Sequence, residues 1–212
     1  RIDGASFDQW DREALGRHIG YLPQGVELFD GTIAENIARF EDNADPDAII
    51  AAAKAAGAHE LILRFEKGYD SNIGEAGSSL SAGQRQRIGL ARALYGEPFL
   101  VVLDEPNANL DAEGEAAVVR AMASVRDRKG IVVVIAHRPS AIGIVDFVLM
   151  MEDGRMKAFG PRDEVLSKVL RTPSAPQQPA GGYTASAHAV TPLRVVVTAQ
   201  VARLENASEP DD

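Results

Sequence analysis

An apolar run that ends in two adjacent acids, Phe99-Leu-Val-Val-Leu-Asp-Glu-Pro106, constrains this chain more than any other segment. A short continuous apolar stretch closed by a turn signal reads as a strand buried in a sheet. Its C-terminal end delivers Asp104 and Glu105, and ligands of open α/β sheets bind at that edge. Successive side chains of a strand point to opposite faces. One carboxylate can therefore hold Mg²⁺ while its neighbour orients and deprotonates an attacking water. On this segment alone, two ordinary solvated acids at a strand-to-loop transition account for the residues equally well.

The flanking sequence predicts the layers around that strand. Ile19 to Leu22, ending at Pro23, and Ile131 to Ala136 are further apolar strands, and Phe147 to Met151 turns back through Asp153-Gly154 into Arg155 to Phe159 as a hairpin. Helical spacing fills the intervals. A short helix falls within the polar stretch Trp10 to Arg17, and Thr32 to Phe65 forms a helical insert in which Asp45-Pro46 opens a helix. Ser81 and Gln84 have capping-box spacing at the head of a helix reaching Tyr95, Ala112 to Arg126 forms the next helix, and Pro161 opens Arg162 to Leu170. Strands alternating with helices predict an α/β fold with a mostly parallel sheet.

Composition narrows the partners. The chain has 212 residues, 45% hydrophobic and 25% charged, which suffices for a packed core. A net charge of -9 argues against nucleic acid, whose affinity rests on clustered Lys and Arg. With no cysteine, neither a disulfide framework nor a Cys-based metal site is available, as suits a reducing compartment. No apolar run approaches the roughly 18 residues of a membrane span. Arg1 opens the sequence without Met and without the apolar core of a signal peptide, so a preceding segment is expected. Beyond Thr172, Pro173, Pro176, Pro179 and Gly181-Gly182 predict a linker, which places a domain at 1–171 and a disordered Pro/Ala-rich tail at 172–212. Leu193 to Leu204 has strand or helix character but no evident pairing partner, and is expected to be disordered with the rest of the tail.

A second constellation, Leu80-Ser-Ala-Gly-Gln-Arg-Gln-Arg87, precedes the acid-bearing strand and opens a helix. Small residues let backbone approach a phosphate, and a helix N-terminus presents unpaired N–H groups. Ser81 and the Gly83 amide are suited to a γ-phosphate, although a Ser that merely caps its own helix explains the same residues.

Together these segments resemble the ATP-binding cassette (ABC) family: Leu80 to Gln84 its signature motif and Phe99 to Glu105 its Walker B strand. Tyr21-Leu-Pro-Gln24 looks like the Q-loop, Asn109-Leu-Asp111 the D-loop, and His137 the switch histidine, all in the family's order over most of residues 1 to 170. The resemblance implies a P-loop NTPase (RecA-like) core, incomplete here, with a helical subdomain at about 25–95 carrying the signature motif. It implies ATP as substrate and Mg²⁺ as cofactor. Position by position, it makes Glu105 the catalytic base, Asp104 a Mg²⁺-supporting acid, Gln24 a Mg²⁺ or water contact that senses a membrane partner, and His137 a γ-phosphate contact. Ser81, Ala82, Gly83 and Gln84 would meet the nucleotide of a second cassette domain in a dimer, with Asp111 in the D-loop beside them.

Two departures stand out. Ala82 replaces a Gly usual at the third signature position, and no G-x-x-x-x-G-K-[ST] occurs, so the Walker A lysine is absent. A phosphate loop preceding Arg1 is the expectation, and residues 1–212 alone are expected neither to bind nor to hydrolyse ATP. With the Walker A strand expected beside the Walker B strand, Val101 and Val102 would be left at an unpaired edge.

Leu28-Phe-Asp-Gly-Thr-Ile-Ala-Glu-Asn-Ile37 and Gly68 to Gly77 are similar to exporters whose cassette is fused to a transmembrane domain, the first run receiving that domain's coupling helix. Ala91 to Gly96 with Asp104 to Asp111 looks most like type I secretion ATPases, which export proteins. This resemblance implies a location at the cytoplasmic face of a bacterial inner membrane and, as partners, membrane-fusion and outer-membrane secretion components. Exporters of lipid or peptide remain an alternative. So do cassette ATPases acting on nucleic acid or ribosomes, against which the net charge and the Leu28 to Ile37 run both count.

Overall fold

The computed structural model describes residues 2, 4–136, 143–152, 154–171 and 194–199. Six strands form one sheet: β1 (Ile19–Leu22), β2 (Leu100–Asp104), β3 (Ile131–Ala136), β4 (Phe147–Glu152), β5 (Arg155–Pro161) and β6 (Arg194–Ala199), in spatial order β1-β2-β3-β6-β4-β5. β1, β2 and β3 are parallel, with Ile19 opposite Leu100 and Leu100 opposite Ile131. β4 and β5 form the expected antiparallel hairpin.

Helices α1 (Arg12–Arg17), α2 (Ile33–Ile37), α3 (Pro46–Ala55), α4 (His59–Ile62), α5 (Ala82–Leu94), α6 (Ala112–Asp127) and α7 (Arg162–Arg171) fill the connections. Their starts follow local chemistry. Thr32 caps α2 in a capping box with Glu35, Asp45 caps α3 with Pro46 in the first turn, and Asp111 caps α6 by accepting from the Gly114 N–H. Helices α2 to α5, all lying between β1 and β2 in the chain, share one hydrophobic core with the sheet through Leu22, Ile33, Ile37, Ile62, Ile88 and Leu103.

Helix α5 lies very close to β1, and two glycines permit this. A Cβ on Gly20 would sit 1.9 Å from the Ala93 carbonyl oxygen, and one on Gly89 would sit 2.7 Å from Val26 Cγ1. Both distances are closer than a side-chain carbon tolerates, so β1 and the segment leading from it to Val26 are seated directly on the helix capped by Ser81.

Two sequence expectations are overturned. β2 is flanked by β1 and β3, so Val101 and Val102 do not border an open edge. Nor is the whole tail irregular. Arg194–Ala199 forms β6, inserted antiparallel to both β3 and β4, with Val196 opposite Ile135 and Leu149. The physical reason is backbone pairing. β3 and β4 run in the same direction one strand apart, and their facing N–H and C=O groups require partners, which β6 supplies. The other residues of 172–212 lie outside the described set. Among the described residues, no helix is long and apolar enough to cross a membrane.

Candidate functional site

The parallel half of the sheet brings two distant sequence candidates together. β1 and β2 are adjacent and parallel, so the loops leaving their C-terminal ends emerge side by side. Gln24, two residues past β1, donates its Nε2–H to Glu105 Oε2 at 2.9 Å across 81 residues of sequence. The contact pairs the expected Q-loop glutamine with the expected catalytic base.

Glu105 occupies a demanding backbone position. Its φ is +48°, in the left-handed region that non-glycine residues seldom enter, and such conformations persist at functional sites where the surroundings fix them. Here its N–H donates to the Ile135 carbonyl at 2.8 Å, and its own carbonyl accepts from the Ala108 N–H at 3.0 Å. The turn directly follows Asp104, the last residue of β2.

The second constellation begins α5. Ser81 is its N-cap: the Ser81 N–H donates to Gln84 Oε1 at 2.8 Å, and the Gln84 N–H donates to Ser81 Oγ at 3.3 Å. The serine thus serves its own helix, and a phosphate reaching this end would compete with that cap. Ser81 and Ala82 are exposed, whereas Gly83 and Gln84 are half-buried. A Cβ at Gly83 would approach the Asn109 carbonyl to 3.1 Å, so the head of α5 abuts the loop that follows Glu105.

Two residues that sequence reasoning did not single out stitch this contact. Gln86, 3% exposed, donates to the Pro106 carbonyl at 3.2 Å. Arg87, 9% exposed, places Nη2 2.7 Å from Asp111 Oδ1. The Gly114 N–H, held at the start of α6, keeps the Asp111 carboxyl below the usual carboxylate range, and the Arg87 guanidinium acts in the same direction against partial desolvation. Both polar residues precede Ile88 in the stretch Gln86–Ala91 of α5, which is buried on every side. His137, the expected switch histidine, lies outside the described residues.

Among the described residues no group of three or more His, Cys, Asp or Glu side chains could hold a metal ion. Mg²⁺ does not require one, because it usually takes one or two carboxylates together with substrate phosphates and waters. Asp104 at the strand end and Gln24, bonded to the neighbouring Glu105, are of the residue types that suit that donor set.

A second surface lies on the far side of β1. Tyr21, Phe29 and Phe40, all exposed, line a groove of about 540 Å³ with Glu27, Arg39 and Arg92. Phe29 and Phe40 meet edge to face with centroids 5.9 Å apart. Buried Asn36 fixes the Phe29 backbone, accepting from its N–H and donating to its carbonyl, both at 2.9 Å.

Comparison with known proteins identifies the family. Residues 1–108 match the ABC transporter family model. The chain is 66% identical over 178 residues to the type I secretion system ATP-binding protein PrsD of Rhizobium meliloti, covering 84% of this chain and 30% of that protein. It is 40% identical over 166 residues to the cyclolysin secretion/processing ATP-binding protein CyaB of Bordetella pertussis, covering 78% of this chain and 23% of CyaB. The chain thus spans less than a third of the length of these relatives. Among solved structures, a bacterial Atm1-family ABC exporter with ATP bound aligns with a TM-score of 0.72 and 31% identity, over 84% of this chain and 32% of that one.

Proposed function

Because the chain belongs to the ABC transporter family, we propose that it forms part of the ATP-hydrolysing domain of an exporter, and that the exporter moves protein substrates by type I secretion. The Gln24–Glu105 contact carries the catalytic part of this reading. The 66% identity to a type I secretion ATP-binding protein supports the choice of cargo class.

In this reading Glu105 is the general base, receiving the proton of the attacking water on its carboxylate. The Gln24 amide, donating to Oε2, fixes the carboxylate's orientation and so keeps the proton acceptor aimed. Asp104 and Gln24 are the residues that would hold Mg²⁺, which when bound neutralises phosphate charge. His137 is assigned to the γ-phosphate. The head of α5, with Ser81, Ala82, Gly83 and Gln84, faces the nucleotide held by a second cassette domain, where N–H groups and the helix dipole favour the anion. Each site is then composite, and Asp111 holds the D-loop to the same helix through Arg87. The phosphate-gripping loop belongs to a part of the protein outside these residues. A fused transmembrane domain seats on the aromatic groove beside β1, and membrane-fusion and outer-membrane components complete the secretion path from the cytoplasmic face of a bacterial inner membrane.

The test uses the full-length protein. Glu105→Gln keeps size and hydrogen-bonding shape but removes basicity, so ATP hydrolysis should fall by roughly 10²- to 10⁴-fold, while nucleotide binding persists and a nucleotide-bound closed dimer accumulates. Near-normal turnover in this variant would remove Glu105 from the mechanism.

A further inference from the structure

We infer that Arg39 is a positioning residue that makes the aromatic groove and the head of α5 move as one unit. The inference rests on the reading of that groove as the seat of the membrane domain.

Arg39 joins three parts of the fold. Its Nε donates to the Arg92 carbonyl at 3.0 Å, Nη1 to the Gly16 and Ile19 carbonyls at 3.1 and 3.2 Å, and Nη2 to the Ala93 and Tyr95 carbonyls at 3.5 and 3.4 Å. A guanidinium has five N–H donors in a fixed planar fork, and here five carbonyls face them. Gly16 lies near the end of α1, Ile19 begins β1, and Arg92, Ala93 and Tyr95 form the last turn and cap of α5. The final carbonyls of a helix have no partner within it, so Arg39 serves as the C-terminal cap of α5. Arg92 ties the same turn to the groove from the other side, donating to the Glu27 carbonyl at 3.0 Å.

The backbone links this cap to the groove wall. Arg39 and Phe40 are consecutive non-glycine residues at φ +57° and +56°, a strained pair that a tight turn imposes. That turn sends Arg39 inward to the carbonyls and leaves Phe40 exposed against Phe29. An apolar side chain of a docked helix that presses on the Phe40 ring acts on the residue bonded directly to Arg39, in the same strained turn that aims the cap. Helix α5 has 13 residues, about 20 Å at 1.5 Å per residue, and it is a rigid rod whose other end is the Ser81–Gln84 turn. Groove, guanidinium, helix and signature turn form one mechanical series. Lysine cannot replace the fork, because its ammonium is a point donor with three N–H groups.

The experiment is hydrogen exchange on the full-length protein in vesicles of phosphatidylethanolamine and phosphatidylglycerol, with and without Mg-ATP. In the wild type, Mg-ATP should slow exchange in both the 78–84 turn and the 26–40 groove segment. In Arg39→Met and Arg39→Lys the 78–84 response should remain and the 26–40 response should be lost. The lysine variant keeps the charge and stem, and carries the test if the methionine variant does not fold. Linked protection retained in Arg39→Lys, or a wild type that responds at 78–84 but not at 26–40, overturns the role of Arg39 and leaves the ATPase reading standing. A wild type with no response to Mg-ATP in either segment defeats the proposed function itself.

Discussion

The two sides of β3 are built on different principles. On one side β1, β2 and β3 run parallel and deliver Gln24, Asp104 and Glu105 to a common edge. On the other, β6, β4 and β5 alternate in direction, and no proposed site residue lies on them. The parallel side is ordered by helices that cross between its strands and is seated on α5 through Gly20 and Gly89. The antiparallel side depends on one strand, β6, that arrives from far along the chain. One half carries every described residue of the proposed site, and in the other backbone pairing closes the sheet.

The largest effect expected from breaking that contrast falls on β6. Val196 pairs with Ile135 on one side and Leu149 on the other, so Val196→Pro removes a ladder donor in the interior of the sheet. The lost bond and the orphaned acceptor together should cost roughly 3 kcal/mol. Urea unfolding of the 212-residue chain measures it. A silent substitution would mean that this segment does not close the sheet.

Gly20→Ala probes the parallel side. Its Cβ would lie 1.9 Å from the Ala93 carbonyl oxygen, so β1 or α5 must move, at a cost of about 1–3 kcal/mol typical of overpacking. The shift should also lengthen the Gln24–Glu105 contact, because Gln24 follows β1 directly. In the full-length protein, turnover should therefore fall more than the melting temperature alone would explain. If stability falls while turnover per folded molecule is unchanged, the seating of β1 on α5 has no bearing on the site.

Much of the parallel side was legible because its signals are local. Apolar runs mark β2 and β3, and the Ser81–Gln84 spacing announces a cap that the structure contains. Gln24 was placed through its spacing to Asp104 within a family pattern; its bond to Glu105 depends on β1 lying beside β2, which no window of sequence reveals. The β6 segment reads as strand-like by composition, yet its partner is a slot between β3 and β4, visible only once both are placed. Arg39 and Arg87 escaped for the same reason, since a basic residue on a helix or turn looks solvated until distant carbonyls or a carboxylate close around it.

The smallest effect expected concerns the stitch between α5 and the loop after Glu105. Asp111 has two roles there, as N-cap of α6 through the Gly114 N–H at 2.8 Å and as partner of Arg87 at 2.7 Å. Asparagine is nearly as good an N-cap as aspartate, so Asp111→Asn keeps the first role and removes the charge from the second. The loss should be modest, because Asp111's side chain is 69% exposed and Glu113 lies 3.8 Å from Arg87 as a second acid. Its pH dependence identifies it. The folded carboxyl titrates below its ordinary value of 3.8, so the charged form favours the folded state. That contribution is complete above the unfolded value and disappears as pH falls through the lower folded one. Thermal melts of wild type and Asp111→Asn between neutral pH and about pH 3 should show the wild type ahead at neutral pH and the difference closing at the acid end. A difference that stays constant across that range would assign the effect of Asp111 to its capping geometry and leave Arg87 held to the first turn of α6 by Glu113 instead.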